Sequence, residues 1–138
     1  MILTSTVVMY IMMYLNTYEW SHVYFSETRA YMALYMGAAM AVIMLAFMTN
    51  MYKKTKINLM IYGLSVLLFA VGIWGVRSQA TVDQVSWMKA MIPHHSIAIL
   101  TSSRADIEDP RVRELADGII ETQKREIKEM EALIEELE

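Results

Sequence analysis

The chain has no cysteine among its 138 residues, so disulfides and thiolate metal ligands are excluded. Proline is nearly absent too, at two positions, Pro93 and Pro110. Charge is missing from most of the first half: residues 1–76 carry only Glu19, Glu27, Arg29, Lys53, Lys54 and Lys56. No basic cluster has the footprint of a nucleic-acid binder. There is no Gly-rich phosphate loop, and no Ser/His/Asp pattern can be placed, which removes the common signatures of nucleotide binding and triad hydrolysis.

What remains is apolar and soft. The composition is 56% hydrophobic with 14 methionines, and the residues after 76 are densely charged and net acidic. An apolar half joined to a charged half describes a membrane anchor at 1–77 carrying a water-exposed domain at 78–138. A helix needs roughly 20 apolar residues to cross the hydrocarbon core. "AYMALYMGAAMAVIMLAFMTNMY" (30–52) and "INLMIYGLSVLLFAVGIWGV" (57–76) carry no charge, and "MILTSTVVMYIMMYL" extended to about residue 18 supplies a third span. The third lacks the basic start and small-residue cleavage site of a signal peptide and is expected to be retained.

Lys53, Lys54 and Lys56 form the one concentrated positive charge beside a span, so that loop is expected inside and the acidic domain outside. Tyr18, Trp20 and Tyr24 suit an aromatic belt at the outer interface, and Trp74 suits the end of the 57–76 span. Within the second span Met32, Met36, Met40, Met44 and Met48 recur every fourth residue, placing neighbouring thioethers on one slowly turning stripe. The stripe reads either as adaptable packing or as a row of soft ligands for cuprous ion. Met36 and Met40, with His22 in the first loop, are secondary candidates for a metal.

The charged domain reads as two helices. Thr81 and Asp83 open the first, and Val85, Met88, Met91, His95 and Ile99 fall on one face at steps of three and four. Glu108-Asp109-Pro110 makes a turn, after which Val112, Leu115, Ile119, Gln123, Ile127, Met130, Ile134 and Leu137 define an inner stripe. The expected fold is therefore all-α: three membrane helices followed by an antiparallel hairpin. A hairpin of about 60 residues is near the lower limit for burying its own core. It is expected to dimerise, or form a higher homo-oligomer, completing a four-helix bundle with Ile127 and Ile134 among the buried residues.

The segment "WMKAMIPHHSIAIL" (87–100) carries the chemistry. Pro93 either opens the helix at the carbonyl of Lys89 or starts a new helical segment. Adjacent helical residues point about 100° apart, so His94 and His95 diverge, while Met91 lies three and four residues before them. Thioethers with imidazole suit copper, Cu(I) above all, better than magnesium or calcium. A turn centred near 108 sets His95 opposite 119–123 and Met88 opposite 128–130. Met130 then joins Met88, and Gln123 is placed to orient an imidazole. The competing reading makes the two histidines hydrogen-bonded packing residues.

"MIPHHSIAIL", preceded by Asp83 and Met88 and followed by "DPRVRELADGIIETQKREIKEM", closely resembles the DUF 305 family over about residues 81–134. That is a ferritin-like, all-helical group of mostly bacterial extracytoplasmic proteins, some associated with copper binding and tolerance. The Gln123, Glu126, Ile127 and Met130 stretch is part of the match. The resemblance implies a metal-associated motif at Met91, His94 and His95, with Met88 and Met130 as neighbours. It also implies residence in the bacterial inner membrane with the hairpin extracytoplasmic, in a periplasm or at the cell surface. Longer members hold two hairpins in one chain, so a single hairpin implies a site shared across a dimer. The expected function is a membrane-anchored copper-binding protein for tolerance, storage or delivery, lipid-embedded and without nucleic acid. A helical scaffold module without metal is the alternative, and a ferritin-like redox enzyme the third reading, disfavoured because no acid–base pair is visible.

Overall fold

Five α-helices and one 3-10 turn make up the residues described by the computed structural model, 1–49, 51 and 53–138, with no strand among them. The all-α expectation holds. The helices are α1 (Ile2–Met12), α2 (Glu27–Phe47), α3 (Thr55–Ser78), α4 (Gln84–Arg104) and α5 (Pro110–Leu137), with the 3-10 turn at Trp20–His22. They group into two units: Met1–Met13 with Thr28–Thr81, and Tyr14–Glu27 with Val82–Glu138.

In the first unit, α2 and α3 are long and apolar enough to cross a membrane, with mean hydropathies of 1.9 and 2.2. They replace the expected spans at 30–52 and 57–76; Asn50 and Tyr52, at the end of the former, lie outside the described residues. The third expected span, 1–18, is not formed. At 11 residues, α1 extends only about 16 Å, roughly half of a hydrocarbon core. Its end is closed from a distance. The chain turns at 13–16, and the Arg29 guanidinium of α2 donates to the carbonyl of Met13, satisfying a group that another helical turn would otherwise have taken.

Small residues set the packing of this unit. Ala33, Gly37, Ala38 and Ala41 form the buried face of α2, together with Leu45. A Cβ at Gly75 would lie 2.7 Å from the Tyr31 ring, and one at Gly72 would lie 2.9 Å from Cβ of Tyr35, so α3 can approach α2 this closely only through glycine. Tyr35 meets Phe69 edge-on at 6.0 Å. Met32, Met36, Met40, Met44 and Met48 are half-buried beside the small-residue face, where flexible thioethers fill the margin between packed and outward surfaces.

The second unit is the expected antiparallel hairpin with an addition. Asp83 caps α4 by accepting from the Ser86 amide at 2.6 Å, and Asp109 caps α5 by accepting from the Arg111 amide at 2.9 Å, with Pro110 at the first turn. The core joins Met88, Ile92 and Ile99 of α4 to Ile127, Met130 and Ile134 of α5. The addition is residues 14–27, which fold onto α4 as a strap and pack Tyr24 against that core. A boundary at 77/78 therefore divides the sequence differently from the packing, because the strap belongs with the hairpin.

The inner stripe of α5 also departs from expectation. Ala116, Ile127, Met130 and Ile134 are buried and Ile120 packs on the core, whereas Val112, Leu115, Ile119 and Leu137 are exposed. In the first half of the helix the buried face is rotated by one residue. α5 starts at Pro110, beside the expected turn, so docking against α4 rather than the position of the helix start selects this face.

Candidate functional site

Pro93 does not start a new helix: α4 runs through it from Gln84 to Arg104, and its ring is fully buried. Lacking an N–H, it leaves the Lys89 carbonyl without the usual helical donor. One turn of α4 around it presents the two histidines in different directions, their rings 6.2 Å apart and inclined by 63°. His94 faces solvent. His95 turns toward α5.

Both ring nitrogens of His95 are engaged. Nδ1 lies 3.1 Å from the carbonyl of Met91, one turn back on the same helix, and Nε2 lies 2.9 Å from Oε2 of Glu126. A carbonyl and a carboxylate are both acceptors, so the ring satisfies both contacts only with a proton on each nitrogen. The His95 side chain is 17% exposed and that of Glu126 41%, which puts the bridge at the rim of the interhelical seam.

The other expected site residues separate into groups. Met88 and Met130 do come together, as members of the buried core, and Met91 packs against that core. Gln123 is half-buried and lines a surface groove with Leu115, Gly118 and Ile119; Glu126, one turn further along, stands at His95 instead. His22 is on the strap in this unit, while Met36 and Met40 belong to α2 of the other unit. Among the described residues no three of His, Asp and Glu converge as a metal cage.

Sequence reasoning missed Ser96. Its side chain is fully buried and joins the strap to α4 at two points: its Oγ accepts from the Tyr18 amide at 2.7 Å and lies 2.9 Å from Nδ1 of His22. A serine set among the apolar positions Ile92 and Ile99 is the signal that could have found it. Nearby, the Tyr24 phenol is pushed above its ordinary value, first by burial and then by the Glu131 carboxylate, against an opposing effect of Lys89.

This is an all-helical protein with two membrane-length apolar helices and an extra-helical strap clasping a polar-faced hairpin. Residues 77–137 match the family described as "Domain of unknown function (DUF305)". An uncharacterized protein of Acanthamoeba polyphaga mimivirus is similar at 34% identity over 108 residues, which covers 77% of this chain and 69% of that protein. The similarity is longer than the 77–137 segment and so also takes in part of the apolar half. No solved structure matches. The chain belongs to the DUF305 family.

Proposed function

We propose that this protein is a membrane-anchored copper-binding protein, with α2 and α3 crossing the membrane and the hairpin outside the cytoplasm. The outward side chains of the two helices, among them Ile43, Phe47, Leu59, Met60, Val66 and Leu67, are apolar and exposed, which supports a lipid-facing surface. Lys53 and Lys54 lie between the two helices and Lys56 in the first turn of α3, positive charge that supports an inner side there. A reporter active only outside the cytoplasm, fused after Glu138, then gives signal; signal from a cytoplasmic reporter there reverses the orientation.

The observation that carries the metal reading is the orientation of His95. Metal-binding imidazoles commonly give one ring N–H to a carbonyl, which fixes the tautomer and leaves the other nitrogen for the ion. Nδ1 on the Met91 carbonyl matches that pattern, and Nε2 is the nitrogen left for copper. Glu126 holds it, and with a side chain open to solvent it can yield by rotating away. Met91 and His94 are the further donors, with the Met88 and Met130 thioethers beneath them. Copper here would supply a soft, redox-capable ion for storage or delivery.

The scaffold reading is favoured by the same bridge viewed as complete, since both ring nitrogens already have partners. Titration with a Cu(I) competitor separates the two. Under the copper reading His95→Ala loses most of the affinity and Glu126→Gln keeps it. Unchanged copper uptake in His95→Ala, or loss of hairpin stability as the sole effect of both changes, establishes the scaffold reading.

We further propose that the hairpin associates as a two-fold homodimer. Ile127 and Ile134 are occupied within one hairpin, so the surface available to a second copy is the exposed stripe of Val112, Leu115 and Ile119. A two-fold axis covers this stripe on both copies at once.

A further inference from the structure

A cleft of about 450 Å³ opens between the strap and α5, away from His95. His22 lines it and is only 8% exposed. Ser96 Oγ accepts from the Tyr18 amide and lies 2.9 Å from Nδ1 of His22, where it can either give its own proton or accept the ring's. In the tautomer in which Ser96 donates, the ring N–H stands on Nε2. Nε2 has no protein partner among the described residues and is reached by solvent. In that tautomer the strap offers an N–H donor to the cleft.

Two ammonium groups share the cleft. Lys124 and Lys128 stand one turn apart on α5, and neither forms an ion pair among the described residues. The Lys124 ammonium lies 5.8 Å from the centre of the Tyr18 ring, a cation–π contact that keeps it over the opening. Two carboxylates, Glu19 on the strap and Glu131 on α5, line the same cleft, also without an ion-pair partner among the described residues. The formal charges cancel. A polyanion or a bare cation would meet repulsion from one pair, whereas a small molecule with separated opposite charges satisfies both.

We propose that this cleft binds the headgroup of an ethanolamine phospholipid, its phosphate at His22, Lys124 and Lys128 and its ammonium at Glu19 and Glu131. The lipid source rests on the membrane-anchored part of the proposed function. The strap is covalently continuous with α1 and α2, and it carries Trp20 and Phe25 at 79% and 69% exposure, the residue types that settle at a headgroup interface. A primary ammonium can donate to the two glutamates, which a quaternary one cannot.

The test uses the full chain in detergent micelles with nitrogen-15 in its histidine rings, titrated with short-chain, water-soluble dihexanoyl-phosphatidylethanolamine. The Nε2 resonance of His22, assigned by its loss in His22→Gln, is expected to shift saturably. Lys124→Gln/Lys128→Gln, two surface changes that leave the helical circular dichroism intact, is expected to weaken binding by about tenfold or more. Dihexanoyl-phosphatidylglycerol, which lacks the amine, is expected to bind at least about tenfold more weakly. Absence of a saturable shift overturns the proposal, and so does equal binding by the double variant. Equal affinity for free phosphoethanolamine overturns the lipid source and makes the cleft a site for a soluble amino-phosphate. Copper titration of the double variant is expected to match the parent, so failure here is distinguishable from failure at His95.

Discussion

The hydroxyl of Ser96 lies 2.9 Å from Nδ1 of His22, across 74 residues of sequence, and both side chains are buried. The same oxygen receives the Tyr18 amide, so one side chain fastens the strap at two points. Ser96→Ala removes both bonds and leaves a backbone N–H and an imidazole nitrogen unsatisfied in a desolvated position. The expected cost is about 1–3 kcal/mol for each group left unpaired. Hydrogen exchange over residues 14–27 should accelerate while the caps of α4 and α5 stay protected. Unchanged protection of the strap would mean that apolar contacts, including Tyr24 on the core, hold it alone.

The local signals in the sequence were strong where structure is local. The caps at Asp83 and Asp109-Pro110 and the uncharged runs in α2 and α3 can each be read from a few adjacent residues. The end of α1 cannot be. The first 15 residues look like a span, and what closes the helix is Arg29, 16 residues from Met13. The stripe on α5 had two near-equal solutions, one through Leu115 and Ile119 and one through Ala116 and Ile120, and only the docked register of α4 selects the second. At the site, the divergence of His94 and His95 follows from helix geometry, whereas Glu126 as the partner of His95 depends on that register. Ser96 and His22 meet only in three dimensions.

Met91→Leu separates sulfur ligation from packing. Met91 packs against the core without being fully buried, and leucine is close to it in volume, so the change should cost less than about 1.5 kcal/mol. The carbonyl that receives Nδ1 of His95 is backbone and survives the substitution. If copper binds with sulfur, Cu(I) affinity falls measurably in a competitor titration while the thermal midpoint stays near that of the parent. Full affinity in the leucine variant would remove Met91 from the ligand set.

The buried and the exposed apolar positions of α5 should respond oppositely to charge. Ile127 is 3% exposed in the core, and a glutamate there is expected to unfold the hairpin. Leu115 is 65% exposed in a single chain, so Leu115→Glu with Ile119→Glu should leave each hairpin folded and convert a dimer to monomer. Mass measurement in detergent reads the difference. A dimer that persists in Leu115→Glu/Ile119→Glu would place the association elsewhere, with the apolar helices α2 and α3 as the next surface to test.

The two helix caps give the hairpin a pH dependence of known sign. Asp83 is held below the usual value of 3.8, chiefly by the Ser86 amide hydrogen bond, and Asp109 is held below it by the Arg111 side chain and amide. A carboxylate whose pKa is lower in the folded chain than in the unfolded one stabilises the fold above the unfolded value. That contribution is lost as pH falls through the folded value, because proton uptake then favours the unfolded chain. Above about pH 5 the caps are fully charged and the contribution is flat; below about pH 4 it declines. Asparagine accepts the same amide hydrogen bonds without titrating. Asp83→Asn/Asp109→Asn should therefore fold with a slightly lower thermal midpoint than the parent at neutral pH, and the gap should close on acidification below about pH 4. Thermal melts followed by circular dichroism from pH 7 to pH 3 measure that gap. A gap that stays constant over the range would show that the carboxylate charges contribute nothing beyond the hydrogen bonds they accept.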